Sequence, residues 1–158
     1  MTDMERMFIQ HECMQLIVAF HRYADEWNHE GMLNLFAEDA TFHHYRMGDL
    51  VGHKAIKAYL DSKETSSATT KHVTTNMLVQ VHDGDTASGS CYWTFYVSPP
   101  GSTELPHLLK GPASLGIYED RYVRTPKGWR FSYRRNQPIF SAPHRADYQH
   151  LKADRPKA

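Results

Sequence analysis

Two periodicities divide this chain. Over residues 5–27 apolar side chains recur in steps of three and four: Phe8, Ile9, Cys13, Leu16, Ile17, Phe20, Ala24 and Trp27. No proline or glycine interrupts them, and the spacing predicts one face of a long α-helix. From His72 onward the pattern changes to Thr-, Val- and aromatic-rich runs, His72–Val81 and Thr86–Val97, separated by the turn residues Asp83-Gly84-Asp85. A further hairpin is expected from Ala113–Arg124 and Trp129–Gln137 across Pro126-Lys127-Gly128. Helices first and meandering strands afterwards predict an α+β domain, with helices on one face of a mostly antiparallel sheet.

Between the two regions the chain is punctuated more finely. Asn28-His29-Glu30-Gly31 ends the long helix, and Met32–Phe36 reads as a short second one. Ala40–Tyr45 suggests a strand, with Asp39 capping or turning the chain before it. Gly52–Leu60 reads as a third helix, and the polar residues 64–70 read as a loop. At 158 residues the chain fits one domain, taken as residues 1–140, followed by a tail over 141–158 that mixes proline, charge and histidine.

Charge narrows the partners. Eighteen basic and eighteen acidic residues balance, and the basic ones are not gathered on one segment. Nucleic acid and anionic membrane are therefore not the expected partners. No apolar run approaches the roughly 20 residues of a membrane span. The start, Met1-Thr2-Asp3-Met4-Glu5-Arg6, lacks the basic-then-apolar order of a signal peptide, so a cytoplasmic protein is expected. Cys13 and Cys91 each sit in an apolar pattern and read as reduced core thiols. Eleven histidines raise the question of a metal. There is no His-Glu-x-x-His, no Cys-x-x-Cys, and the adjacent His43 and His44 point to opposite faces of a strand. Neither a metal nor another cofactor is expected.

Strand alternation then sorts candidate pocket residues. His72, Thr74, Asn76 and Leu78 share a face, as do Trp93, Phe95 and Val97, and also Gly116, Tyr118 and Asp120. Arg130, Ser132, Arg134 and Asn136 share another, although a bulge would decide whether Arg134 or Arg135 points inward.

Several blocks carry a resemblance: Phe20 to Tyr45, Gly116-Ile117-Tyr118-Glu119-Asp120-Arg121-Tyr122, and Gly128-Trp129-Arg130-Phe131. Over roughly Glu12 to Gln137 the sequence resembles the SnoaL-like branch of the nuclear-transport-factor-2-like superfamily. That likeness implies a cone in which a curved sheet, a long N-terminal helix and two shorter helices enclose a deep pocket. Three cofactor-independent eliminating enzymes of the branch are scytalone dehydratase, bile-acid 7α-dehydratase and hexachlorocyclohexane dehydrochlorinase. All place a catalytic histidine at the start of the strand after the polar loop, and His72 matches it. The dehydratases add a helix tyrosine, and Tyr23 or Trp27 falls there. The family aspartate just past the helix is here Asn28, so Asp25 or Asp120 is left as the possible acidic partner.

These residues imply an acid–base enzyme, a lyase of dehydratase type or an isomerase or cyclase. Its substrate would be small, hydrophobic and cyclic or aromatic, of polyketide kind. His72, Tyr23 and Asn28 are the candidate catalytic residues, and Trp27, Trp93, Phe95, Tyr118 and Arg134 the candidate substrate contacts. Two other readings stay open: a small-molecule binding protein without turnover, and the small subunit of a larger oxygenase complex. The likeness also implies a homo-oligomer, dimer or trimer, joined through outward residues of the strands between Thr86 and Gln137.

Overall fold

A computed structural model describes residues 1–63, 68–99 and 101–143. The elements are α1 (Asp3–Asp25), α2 (His29–Leu33), β1 (Phe36–His44), β2 (Gly48–Val51), α3 (Gly52–Asp61), β3 (Thr70–Val81), β4 (Thr86–Val97), β5 (Ser114–Thr125) and β6 (Gly128–Ser141). The six strands form one curled, unclosed sheet in the order β2-β1-β6-β5-β4-β3. The β1–β6 pairing is parallel and the other four are antiparallel. The expected α+β architecture and its three helices are therefore present. The proposed tail lies almost wholly outside the described residues, as do Glu64-Thr65-Ser66-Ser67 of the polar loop.

The long helix starts where Thr2 and Glu5 satisfy each other's backbone N–H groups in a capping box. Its buried stripe is Ile9, Cys13, Leu16, Ile17 and Phe20 of the predicted spacing, with His21 added; Phe8, expected on the same face, is 63% exposed. The stripe packs on the sheet, and each fully buried large apolar side chain contributes about 1.5–3 kcal/mol. Two side chains also clip α1 to β3: Arg6 donates to the Val81 carbonyl (3.1 Å) and Gln10 to that of Val79 (3.1 Å). Both cysteines are free and buried; burial pushes the Cys13 thiol up to about 12 and the Cys91 thiol up to about 11.

The helix ends two residues before the expected boundary. Trp27 adopts a left-handed backbone (φ 57°), the Asn28 N–H reaches back to the Tyr23 carbonyl (2.8 Å), and the Trp27 N–H to that of Ala24 (3.3 Å). This pair of bonds is a Schellman motif, with tryptophan at the position that favours glycine. The second helix starts earlier than Met32, because Asn28 caps it by accepting from the Gly31 N–H (2.7 Å). Asp39 neither caps nor turns the chain; it lies within β1, exposed on the strand.

Two bulges reset which residues face the helix. On β3 the register shifts between Thr75 and Leu78, where Asn76 has φ 52°. His72 and Thr74 are half-buried before it and Val79 and Val81 buried after it, so Leu78 turns outward to 68% exposure. On β6, Tyr122 pairs with Phe131 and Arg121 with Tyr133, which leaves Ser132 as an extra residue. Trp129 and Phe131 point inward before it and Arg134 after it; Arg130 therefore does not share the face of Arg134.

Candidate functional site

The helix end and the sheet's concave face enclose a cavity of about 230 Å³, walled mainly by aromatic rings. Its chemistry begins with Asp25, the last residue of α1. The Asp25 carboxylate accepts two hydrogen bonds from His72, one from its backbone N–H (2.9 Å) and one from Nδ1 (2.7 Å). An aspartate in the last turn opposes the helix dipole, which ordinarily costs about 0.3–1 kcal/mol. Here burial pushes the carboxyl up, but the His72 bonds and the charges of His72 and Lys71 more than offset it. The pKa ends below its ordinary value, and Asp25 is ionised at neutral pH.

An ionised partner fixes the tautomer: Nδ1 of His72 carries the hydrogen, and the lone pair is left on Nε2. His72 lines the cavity, so Nε2 is the basic atom available to an occupant. The helix C-terminus and the Asp25 charge would both stabilise the imidazolium formed when Nε2 takes a proton.

Trp27, Trp93, Phe95 and Tyr118 all line the cavity. Trp27 is placed by its left-handed backbone, a conformation that costs a non-glycine residue about 1–2 kcal/mol. Trp93 packs its indole against its cross-strand neighbour Gly116, where an added Cβ would come within 2.4 Å of the ring. Tyr59 and Tyr118 also line the cavity, and burial raises both phenols, so each stays protonated as a potential donor. Among the described residues no group of three His, Cys, Asp or Glu side chains converges as metal ligands.

Four sequence-level candidates are placed elsewhere. Asn28 spends its side chain on the cap of α2, and Tyr23 packs half-buried against the core, so neither lines the cavity. Arg134 does face inward, and Arg135 outward, where it meets Glu119 (3.1 Å). Yet Arg134 has no exposed surface and does not line the cavity. Its guanidinium lies over the rings of Tyr118 (3.9 Å), Phe20 (4.3 Å) and Phe131 (4.4 Å), with Nε 3.6 Å from Asp120. Asp120 is buried in the same place, accepts from the Tyr122 hydroxyl (3.1 Å), and makes no bond to His72.

The sequence pattern did not single out His21 or Tyr59, and it placed Asn136 on a strand face without giving it a role. His21 is buried and stacked on His72. Its signal was available: it precedes Asp25 by four residues, one helical turn, beside the apolar stripe. Asn136 lines the cavity with its Oδ1 buried and unpartnered. It shares the inward face of β6 with Arg134.

Residues 6–135 match the SnoaL-like domain family. No curated protein matches the sequence. Among solved structures, a candidate scytalone dehydratase from Novosphingobium aromaticivorans DSM 12444 is 17% identical with a TM-score of 0.74, over 89% of this chain and 91% of that one. An NTF2-like protein with a cystatin-like fold from Novosphingobium aromaticivorans is 22% identical with a TM-score of 0.71, over 91% and 90%. A hexachlorocyclohexane dehydrochlorinase, LinA type 2, is 14% identical with a TM-score of 0.68, over 90% and 99%. At these identities the likeness to each is one of fold.

Proposed function

The chain belongs to the SnoaL-like domain family, and from that premise we propose that it is a lyase-type enzyme that moves protons with its own side chains. The observation that carries this reading is the Asp25–His72 pair, hydrogen-bonded at 2.7 Å and opening on an aromatic cavity. Two structures of this shape carry the names of eliminating enzymes, a dehydratase and a dehydrochlorinase. The substrate would be small, largely apolar and cyclic or aromatic, because ring faces make up most of the wall.

Nε2 of His72 removes a proton from the carbon next to the one bearing the leaving group. The electrons of that C–H bond become the new double bond, and the leaving group departs with the electrons of its own bond. Chloride leaves as the anion, whereas a hydroxyl takes from the His72 imidazolium the proton just removed from carbon and leaves as water. Asp25 holds the ring and stabilises the imidazolium; such proton transfer typically contributes about 10²–10⁴ in rate. Tyr59 or Tyr118, both of which line the cavity where Tyr23 does not, donates a hydrogen bond to an oxygen of the substrate.

The binding-protein reading rests on the non-catalytic members that the resemblance implies and on Asn28 standing where an acid was expected. The Asp25–His72 hydrogen bonds weigh against the second of these. We propose as well that the chain forms a homo-oligomer through the outward face of the strands between Thr86 and Gln137, where Tyr92 is 45% exposed.

The test is a panel of cyclic β-hydroxy ketones and chlorinated rings, followed by absorbance of the new double bond. Turnover should appear with at least one member and fall by at least about 10²-fold in His72→Ala. Unchanged turnover in His72→Ala would remove the residue from the mechanism. Stoichiometric binding without turnover across the panel would favour a binding protein.

A further inference from the structure

Beside the dyad lies a second histidine that the elimination leaves without a task. His21 is 3% exposed and lays its ring parallel to that of His72, with an interplanar angle of 7° and centroids 5.1 Å apart. Its Nδ1 is 2.5 Å from Thr74 Oγ1, and its Nε2 is buried without a partner. Such a ring is best satisfied with the hydrogen on Nδ1, donated to Thr74, because an orphaned lone pair costs less than an orphaned N–H.

We infer that His21 is a positioning residue, a neutral imidazole pinned by Thr74 against which the His72 ring is held flat, so that the stacked pair takes up a single proton and takes it on His72. Two parallel imidazoles at this distance cannot both be charged without repulsion. The surroundings decide which one is. Asp25 on α1 offers its carboxylate to His72. His21 instead meets the Arg134 cation from β6, the Tyr118 ring from β5 (5.4 Å) and the Phe20 ring from its own helix (5.7 Å). The carboxylate on that side, Asp120, already faces Arg134. Burial, then the charges of Arg134 and His72, hold the His21 pKa well below 6.5, in line with this division.

The inference rests on His72 as the base, yet its test needs no turnover. Protein labelled with 15N-histidine is titrated without substrate from about pH 5 to 8, the range of histidine ionisation, and both rings are read by long-range 1H–15N correlation. His21 should stay a single neutral Nδ1–H tautomer while His72 takes up a proton. A charged His21, or protonation of both rings, overturns the assignment. Thr74→Val should convert His21 to a mixture of tautomers; an unchanged His21 would show that Thr74 does not pin it and would overturn the inference. His21→Ala should leave neutral His72 in the Nδ1–H form that Asp25 fixes but free its ring to move, read as broadened His72 correlations, and His21→Phe, which keeps a flat ring, should sharpen them again. A His72 spectrum that His21→Ala leaves unchanged would reduce His21 to core packing. Where His21→Ala fails to fold, Thr74→Val decides. Absence of elimination activity would leave this division of the proton standing, and a charged His21 would leave the elimination reading standing.

Discussion

Two carboxylates inside this molecule face a basic side chain, and they end in opposite states. Asp25 accepts two well-formed bonds from His72, and its pKa falls below the ordinary carboxylate value. Asp120 faces Arg134 at 3.6 Å without a hydrogen bond between them, and burial holds its carboxyl up to about 6 against the pull of the Arg134 charge and the Tyr122 hydroxyl. The first pair opens on the cavity; the second is sealed under aromatic rings. A carboxylate that hydrogen-bonds a titratable ring at a cavity wall supports chemistry, because the ring can take and release a proton there. A carboxylate shut in with a guanidinium cannot exchange protons that way, since arginine keeps its charge. Charge pairing alone therefore does not mark a catalytic site; hydrogen-bond geometry and access do.

The comparison breaks most visibly at Arg134. Arg134→Ala should cost about 3–5 kcal/mol in urea denaturation, since it leaves Asp120 buried and unpaired. The double change Arg134→Met with Asp120→Leu should recover most of that loss. A cost under about 1 kcal/mol for the single change would show that the sealed pair carries little.

At the open pair the loss should appear in rate instead. Asp25→Asn should lower turnover by about 10²-fold or more while leaving unfolding free energy within about 1 kcal/mol of wild type. Equal losses in stability from both pairs would erase the distinction drawn between them.

Gly116→Ala sharpens the comparison from the pocket side. The new methyl would fall 2.4 Å from the Trp93 indole and 2.5 Å from the Gln137 carbonyl, so both the indole at the cavity wall and the β5–β6 pairing must shift, at about 1–3 kcal/mol of overpacking or more. Apolar ligands should bind more weakly, and a ligand titration by fluorescence reads this directly.

Acid reports on the buried groups with a definite sign. His21 has a folded pKa below its ordinary 6.5, so it contributes stability that is present above that value and is lost as pH falls. Asp120 acts oppositely: its raised pKa contributes stability below the ordinary 3.8 that is lost as pH rises through about 6. Melting temperature against pH should therefore lose its His21 limb in His21→Phe, measured as the difference from wild type. A difference independent of pH would show that the His21 pKa is the same in the folded and unfolded states, and one of opposite slope that the folded protein holds the ring charged.

The smallest effect is expected at Trp27. Trp27→Gly relieves a left-handed backbone worth about 1–2 kcal/mol and gives up comparable packing, so stability should change by under about 1 kcal/mol. Loss of ligand binding without loss of stability is the outcome to look for.

Sequence alone settled the three helices in their order and five of the six strands, missing the short β2, together with most of the core face of α1, the strand that begins near His72 and the aromatic character of the wall. Each of these is written in a local period or a local composition, and so is legible without knowing what packs on what. It also gave the family, through blocks whose residues lie close together in the chain. The partner of His72 was a different kind of fact. Asn28 and Asp25 are both near the helix end, and only the Schellman turn at Trp27 sends Asn28 to cap α2 and leaves Asp25 on His72. Likewise the inward place of Arg134 depends on the extra residue at Ser132, and the outward place of Leu78 on the bulge at Asn76. A bulge is a mismatch between two strands distant in sequence, and a one-residue slip exchanges every face that follows. The periods of a single segment hold no record of that slip, so only the tertiary pairing decided which side chains meet in the cavity.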